Sequence, residues 1–464
     1  MKHPLFIWVF HCLISALSIL QAQSVEKLPE AKALWRAGVA KIIITPQENM
    51  WMAGFAARDK PASGMLHDLW ARSLVLEDND GHRVLLITID MIGFEKDLSA
   101  SICSRLEEKY GLRRKNIVLS FSHTHCGPVI NRNLSLIYPP FDENQKELIE
   151  NNRKFVEDQI IKVAGRAINS LEPAHVYSGT GITRFAVNRR ENQWNDETAY
   201  SPDVKGPSDH VVQVIKVTNL SGRPMVALFG YSCHPTTLMM NKWSGDYPGF
   251  AQIELEKTYP GQISMFFNGF GADQDPLPRG KLLQAKQYGK ELAIAVESIM
   301  EGSMRALSPT IRTIYSEIEL ALAPPPENAQ LEKVIEGGVN WQVRWAEKMK
   351  EKLAAGDEFP ASYPCYPVQS LQLGEQTLVV LGGEVVVDYA FALRDTLGND
   401  LMIMAYANDV MSYIPSERIL KEGRYEGETS MWVYGHHGKW VSGIEEKIIN
   451  EVVQQVTLNR NGLQ

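Results

Sequence analysis

Residues 116–121 read Asn-Ile-Val-Leu-Ser-Phe and run without a break into Ser122-His123-Thr124-His125-Cys126-Gly127-Pro128. An uncharged run of this length, closed by a Gly-Pro turn, reads as a strand buried on both faces, which demands further layers above and below it. Side chains two apart on an extended segment face the same way, so His123 and His125 are expected to converge at the strand's end. Imidazole nitrogen suits zinc and other borderline metals, although two histidines can also cap a strand through hydrogen bonds. A second apolar strand, 225–231, leads into Cys233-His234-Pro235-Thr236, with Ser244-Gly245-Asp246 following. A third histidine at a second strand end makes a metal site the more economical reading.

The remaining pattern supplies the layers. Strands are expected at 36–45, 211–217 and 264–267. Hairpins are expected at 73–76 with 84–89, around Asp78-Asn79-Asp80-Gly81, and at 370–373 with 377–381, around Gly374-Glu375. The first hairpin puts Asp90 at a strand terminus. Helical spacing marks 99–110, 145–170, 247–259, 284–300 and 444–456. The alternation predicts an α/β fold, a mixed β-sheet core with helices packed on it and a metal site at converging strand ends. Ala323-Pro324-Pro325-Pro326 marks an internal boundary near 323–327, and 327–355 is expected to be one polar helix. No long independent β-module is expected at the C-terminus.

A chain of 464 residues exceeds the usual single core, so one large domain with insertions or two closely joined lobes is expected. A formal net charge of −8, without a run of Lys or Arg, argues against a nucleic-acid partner or a basic membrane-surface patch. Lys2 and His3, the apolar stretch 5–20 and Gln21-Ala22-Gln23-Ser24 read as a signal peptide over 1–23. The mature chain, 24–464, is then exported, periplasmic or secreted, with no stable membrane span. Cys12 leaves with the signal. Cys103, Cys126, Cys233 and Cys365 do not make a disulfide framework, and Cys126 and Cys233, beside the histidines, are expected to be packing residues rather than thiolate ligands.

Three further blocks carry chemistry: Gly269-Phe270-Gly271-Ala272-Asp273-Gln274-Asp275-Pro276, Leu381-Gly382-Gly383-Glu384, and Ser412-Tyr413-Ile414-Pro415 with Arg424-Tyr425-Glu426-Gly427 close behind. Taken in order with the histidine blocks, with Gly38-Val39-Ala40-Lys41, Met52-Ala53-Gly54-Phe55 and Asn188-Arg189, they make the chain resemble the neutral ceramidase family of amidohydrolases over about 38–434. The resemblance implies a catalytic Zn²⁺ held by His123, His234, Glu384 and Tyr413. It places His125, Arg189 and Tyr425 around the scissile carbonyl, the last two as oxyanion donors. Asp275 stands where the family keeps a serine, and His125 or Asp275 is the expected general base. That departure, and the expected lack of the family's C-terminal β-sandwich-like domain, point away from ceramide itself to a different acyl, amide or ester substrate, a small molecule or lipid such as an N-acyl lipid or related N-acyl compound. Two alternatives are an ester, glycan, or sulfate- or phosphate-ester hydrolase using Asp90, Asp246, Asp273 and Asp275 around a second metal, and a non-catalytic lipid- or glycan-binding relative.

Overall fold

The computed structural model describes residues 34–462 apart from 131, 133 and 193–203, so the expected signal over 1–23 lies outside the described residues. The chain opens with β1 (Trp35–Ile43), β2 (Trp70–Glu77), β3 (Arg83–Ile89), β4 (Ile117–Phe121) and β5 (Glu172–Ile182), with α1 (Lys96–Tyr110) before β4 and α2 (Glu143–Asn169) after it. There follow β6 (Ala186–Asn188), β7 (Val211–Asn219), β8 (Pro224–Tyr231), β9 (Ile263–Asn268), β10 (Gln274–Pro276) and β11 (Arg305–Ala306), with α3 (Asp246–Thr258) after β8 and α4 (Leu282–Glu301) after β10. β12 (Ile311–Ala321) is separated by α5 (Asn328–Gly337) and α6 (Asn340–Ala355) from β13 (Ser362–Leu373) and β14 (Gln376–Leu381). The chain closes with β15 (Glu384–Val385), α7 (Asp388–Leu397), β16 (Met402–Met404), β17 (Tyr413–Ile414), α8 (Glu417–Glu422), α9 (Ser430–Val433) and α10 (Ile444–Asn461).

The large sheet runs β4-β3-β2-β1-β5-β7-β8-β9, with β11 beside β5. It is antiparallel except where β3 meets β4 and β8 meets β9. A second sheet, β12-β13-β14-β16, is parallel only at β14–β16. The period-two pattern decides how they stack. In β3, Val84 and Leu86 join a core shared with Leu371, Leu378 and Val380 of the second sheet, while Leu85 and Ile87 face the core of α1 and α2. In β8, Leu228 faces the second sheet, and Ala227 and Phe229 face α3 and α4. Beyond the second sheet, Val379 and Leu381 meet Ile448, Val452 and Val456 of α10. The mixed α/β fold is therefore four layers, α/β/β/α, and the hairpin expected at 370–381 lies in the second sheet as β13 and β14.

Two local expectations change. The helix over 327–355 is broken: α5 stops at the extended Gly338, and α6 restarts after Val339. Both helices form an excursion between paired strands β12 and β13, so the proline stretch at 323–326 leads into an insertion, and Leu34 onward forms one compact unit. β5 was not anticipated, because Pro173, Gly179 and Gly181 dilute its strand pattern. It forms by pairing with β1 on one side and β7 on the other, and tertiary context outweighs a weak propensity.

Candidate active site

The parallel pairs β3–β4 and β8–β9 lie at opposite ends of the large sheet, yet the sheet curls until these edges approach. Asn268 Nδ2, at the end of β9, donates to the carbonyl of Ser122 at 3.4 Å. The chain after β16 fills the seam: Phe121 N–H donates to Tyr406 O (3.0 Å), Asn408 N–H to Leu119 O (2.7 Å) and Ala405 N–H to Asn268 O (2.9 Å). The carboxyl ends of β4, β8 and β9, where α/β sheets present their ligand sites, thus open on one space.

His123 and His125 converge there, but not by strand alternation. His123 has left the strand with φ +61°, held by its N–H on Met91 O at 2.9 Å. A non-glycine residue in that region is strained and tends to mark a functional position. The two rings lie 5.1 Å apart, and His123 is 5.0 Å from His234. Glu384 and Tyr413 are brought opposite each other by the two-residue parallel ladder β15–β17. Gly383, φ +72°, makes the turn before Glu384, where a Cβ would strike Ile414 and the Ser412 carbonyl.

The donor atoms meet closely. Glu384 Oε2 lies 3.0 Å from His234 Nε2 and 3.2 Å from His123 Nε2, and Tyr413 Oη lies 3.3 Å from His234 Nε2. Each imidazole directs its other nitrogen to a carbonyl: His123 Nδ1 to Ile92 O at 2.5 Å, His234 Nδ1 to Gly271 O at 3.2 Å. A carbonyl only accepts, so Nδ1 carries the proton, and a neutral ring then presents a lone pair at Nε2. Burial, with Arg189 nearby, pushes the His234 imidazole below its ordinary value, which favours the neutral ring. Its lone pair facing a carboxylate oxygen at 3.0 Å is repulsive unless a cation lies between them. Tyr434 Oη donates to Glu384 Oε1 at 2.6 Å. Ligands about 2.0–2.2 Å from a tetrahedral ion stand roughly 3.3–3.6 Å apart, close to the spacings here. The residues present fit a metal ion, with carbonyl and phenol partners orienting its ligands from behind.

The nitrogens of His123, His125 and His234 also lie within 4.8 Å of one another, a second possible donor set. The set containing Glu384 and Tyr413 is the tighter one. His125 is also the odd member: both its ring nitrogens are buried without a hydrogen-bond partner. Burial, reinforced by His123 and His234, pushes its pKa well below the ordinary value. Phe55 packs on the ring at 4.7 Å, and Gly54, φ +93°, passes beneath it where a Cβ would overlap Cγ and Nδ1.

The short ladder β6–β10 carries Arg189 to Asp275, and Arg189 N–H donates to Asp273 O at 2.8 Å. Arg189 Nη2 donates to Tyr413 Oη at 3.1 Å and Nε to Glu426 at 2.8 Å. Tyr425, at the mouth of the site, packs edge-on against Tyr413 with centroids 5.3 Å apart. Asp275 pairs with Arg279 at 2.7 Å and Arg189 at 3.5 Å and accepts from Thr236 at 3.1 Å. Burial raises its carboxyl, but Arg189, Arg279 and His234 bring it below its ordinary value.

The other aspartates are engaged elsewhere. Asp90 accepts from Arg72 and the Trp70 N–H, both at 3.0 Å. Asp246 accepts from the Leu238 N–H, and Asp273 from the Val387 N–H and Asn188; burial pushes each to about 6. Among the described residues these carboxylates form no second cluster at the site. The Cys126 thiol is buried against Leu238 O, and burial pushes it up to about 12, so it packs as a thiol. Cys126→Ser should therefore leave metal content unchanged while lowering stability by about 1–3 kcal/mol, the cost of burying a poorly paired hydroxyl. Thermal denaturation and elemental analysis of the same sample check both halves.

Several residues of the site carried no assigned role in the sequence. Tyr406, φ +49°, packs against His123 at a tilt of 40° with ring centroids 4.4 Å apart, and Tyr434 holds Glu384. Tyr406 belongs to no charged or glycine-marked block and reads as core, whereas Tyr434 precedes Gly435-His436-His437-Gly438, which was the available signal for it. Glu426 sits in the Arg424-Tyr425-Glu426-Gly427 block, which was the available signal for it.

Buried imidazole, carboxylate and phenol donors meet at the curled edge of a two-sheet α/β sandwich, in a cluster that could hold a metal ion. Residues 35–274 match the family described as neutral/alkaline non-lysosomal ceramidase, N-terminal, and the chain belongs to that family. Neutral ceramidase A of Dictyostelium discoideum is 25% identical over 249 residues, 49% of this chain and 34% of that protein. Neutral ceramidase 2 of Arabidopsis thaliana is 24% identical over 268 residues, 52% and 34% respectively. The match thus spans about a third of the length of these curated relatives. The crystal structure of neutral ceramidase from Pseudomonas aeruginosa superposes with a TM-score of 0.70 at 18% identity, covering 93% of this chain and 75% of that one. A ceramidase complexed with C2 gives 0.70 at 19%, covering 93% and 76%. At such identity the likeness is one of fold.

Proposed function

We propose that this chain is a zinc-dependent hydrolase that cleaves the amide bond of an N-acyl lipid or related N-acyl compound. The observation that carries the reading is Glu384 Oε2 set between the Nε2 atoms of His123 and His234, with Tyr413 Oη beside them. These four residues would hold the ion. Bound zinc would polarise the scissile carbonyl and lower the pKa of water.

The chain's own groups supply the rest. His125, with unengaged ring nitrogens inside the cluster, would take the proton from water and pass it to the leaving nitrogen. Asp275, already committed to two guanidiniums, is the counter-ion that keeps Arg189 in place. Arg189 and Tyr425 would donate to the oxygen as charge develops on it, where loss of one donor costs ~3–4 kcal/mol. Beyond His125, Phe55 lines one wall, and Arg58 ties the His125 carbonyl to that of Met240.

The domain assignment 24–464 and an exported location belong to the same proposal. Among the described residues no helix is long and apolar enough to cross a membrane. The test is a screen of the zinc-loaded protein against short-chain N-acyl sphingosine, other N-acyl amines and simple esters, each with and without chelator. Chelator-sensitive release of fatty acid from an N-acyl compound is expected. Cleavage of esters alone would overturn the amide assignment, and turnover indifferent to chelator would overturn the metal.

A further inference from the structure

A cavity of about 370 Å³ opens beside the donor cluster, lined by Arg189, Arg190, Arg279 and Arg424 against Asp275 and Glu426, with Asn192, Tyr425 and, as the one aliphatic side chain among the described residues, Leu277. Such a lining suits a charged group and not an acyl tail. Two of the guanidiniums are spent on protein: Arg190 on Glu426 and Glu422, Arg189 on Glu426, Asp275 and Tyr413. The other two are spent only in part. Arg279 uses only Nη1, on Asp275 and Thr236, and Arg424 uses only Nη1, on the Arg190 carbonyl. Among the described residues no carboxylate pairs with Arg424, and the Nε and Nη2 donors of both arginines remain available. The backbone adds an independent sign. Arg424 sits at φ +64°, ψ −157°, conformational space that glycine occupies readily and arginine does not. An arginine kept at a strained position beside a reactive centre implies use for its side chain.

We infer that this cavity binds an anionic group of the substrate, so that the N-acyl compound cleaved carries a carboxylate, sulfonate or phosphate a few bonds from the scissile amide. Arg189 lines the cavity and also touches Tyr413, which sets that short separation. The anion lies across Arg279 and Arg424, and the acyl chain leaves on the Phe55 side. Hydrolysis adds water across the C–N bond: the hydroxyl goes to the acyl carbon, the proton to the nitrogen, and an amine bearing the anion is released. Planar or tetrahedral oxyanions are the groups that paired guanidiniums recognise.

The inference rests on the hydrolase reading, and one experiment separates the two. N-lauroylglycine, N-lauroyltaurine, N-lauroylglycine amide and short-chain ceramide are compared for turnover by the zinc-loaded protein, and for binding by calorimetry. An anionic member should exceed the neutral amide in kcat/KM by about 10- to 100-fold, the range of a charge-assisted hydrogen bond. Carboxylate against sulfonate identifies which anion. Arg424→Gly relaxes the backbone while removing the charge, so folding is not at risk, and it should bring the anionic-to-neutral ratio down toward one. Arg424→Lys should restore part of it. Equal turnover of anionic and neutral substrates would overturn the anion site and leave the hydrolase standing. Anion-dependent binding that Arg424→Gly abolishes, with no turnover of any substrate, would uphold the anion site and sink the hydrolase. Neither binding nor turnover preference would overturn the inference outright.

Discussion

Glu384→Gln and His234→Ala should each yield a folded protein that purifies without stoichiometric zinc and has lost at least about 10³-fold in kcat/KM, about 4 kcal/mol of transition-state stabilisation. Glutamine keeps the shape of Glu384 and an acceptor for the Tyr434 hydroxyl, which lies 2.6 Å from Oε1, but it takes the negative charge out of the cluster. Alanine at 234 removes the atom that stands 3.0 Å from Glu384 and 3.3 Å from Tyr413. A ligand that binds only the folded state raises stability by mass action. Chelator should therefore lower the melting temperature of the native protein and leave that of His234→Ala nearly unmoved. Elemental analysis and thermal scans read this without any substrate. Full zinc content in both variants would remove these two residues from the ligand set.

His125→Gln should keep its zinc and lose ~10²–10⁴ in kcat/KM, the usual range for a group that transfers protons. The separation of metal content from activity is the informative part. His125 lies within reach of the same ion as His123 and His234, so retained zinc assigns it to proton transfer, and lost zinc assigns it to the metal. Asp275→Asn is the paired comparison. Its carboxylate oxygens are engaged by Arg189, Arg279 and Thr236, whereas both ring nitrogens of His125 are without a hydrogen-bond partner. If Asp275→Asn shows the larger loss with zinc retained, the base is the aspartate and His125 is an orienting group.

Much of the site was legible because its parts are locally marked. His123 and His234 follow uncharged strands, and Glu384 follows two glycines, one of them at positive φ where a side chain would collide. Arg189 and Asp275 stand in short polar blocks that could have been turns. What could not be read was the manner of convergence. Alternation along a strand was expected to aim His123 and His125 together, whereas a left-handed residue at 123 does so. Tyr406 looks like a core tyrosine until its hydroxyl is found at 3.4 Å from His234. The break at Gly338 was similarly invisible against an otherwise helical polar stretch.

The sequence by itself determined which segments are strands buried on both faces, which helices are amphipathic, and which residue types stand where those strands end, since each depends on side chains a few positions apart. Only the tertiary structure decided that the sheet curls, that residues 405–408 close its seam, and that Glu384 pairs in register with Tyr413. Those outcomes rest on backbone hydrogen bonds between segments hundreds of residues apart, such as Asn408 to Leu119. A backbone N–H or carbonyl is the same in every residue, so its choice of partner leaves no mark on the local sequence.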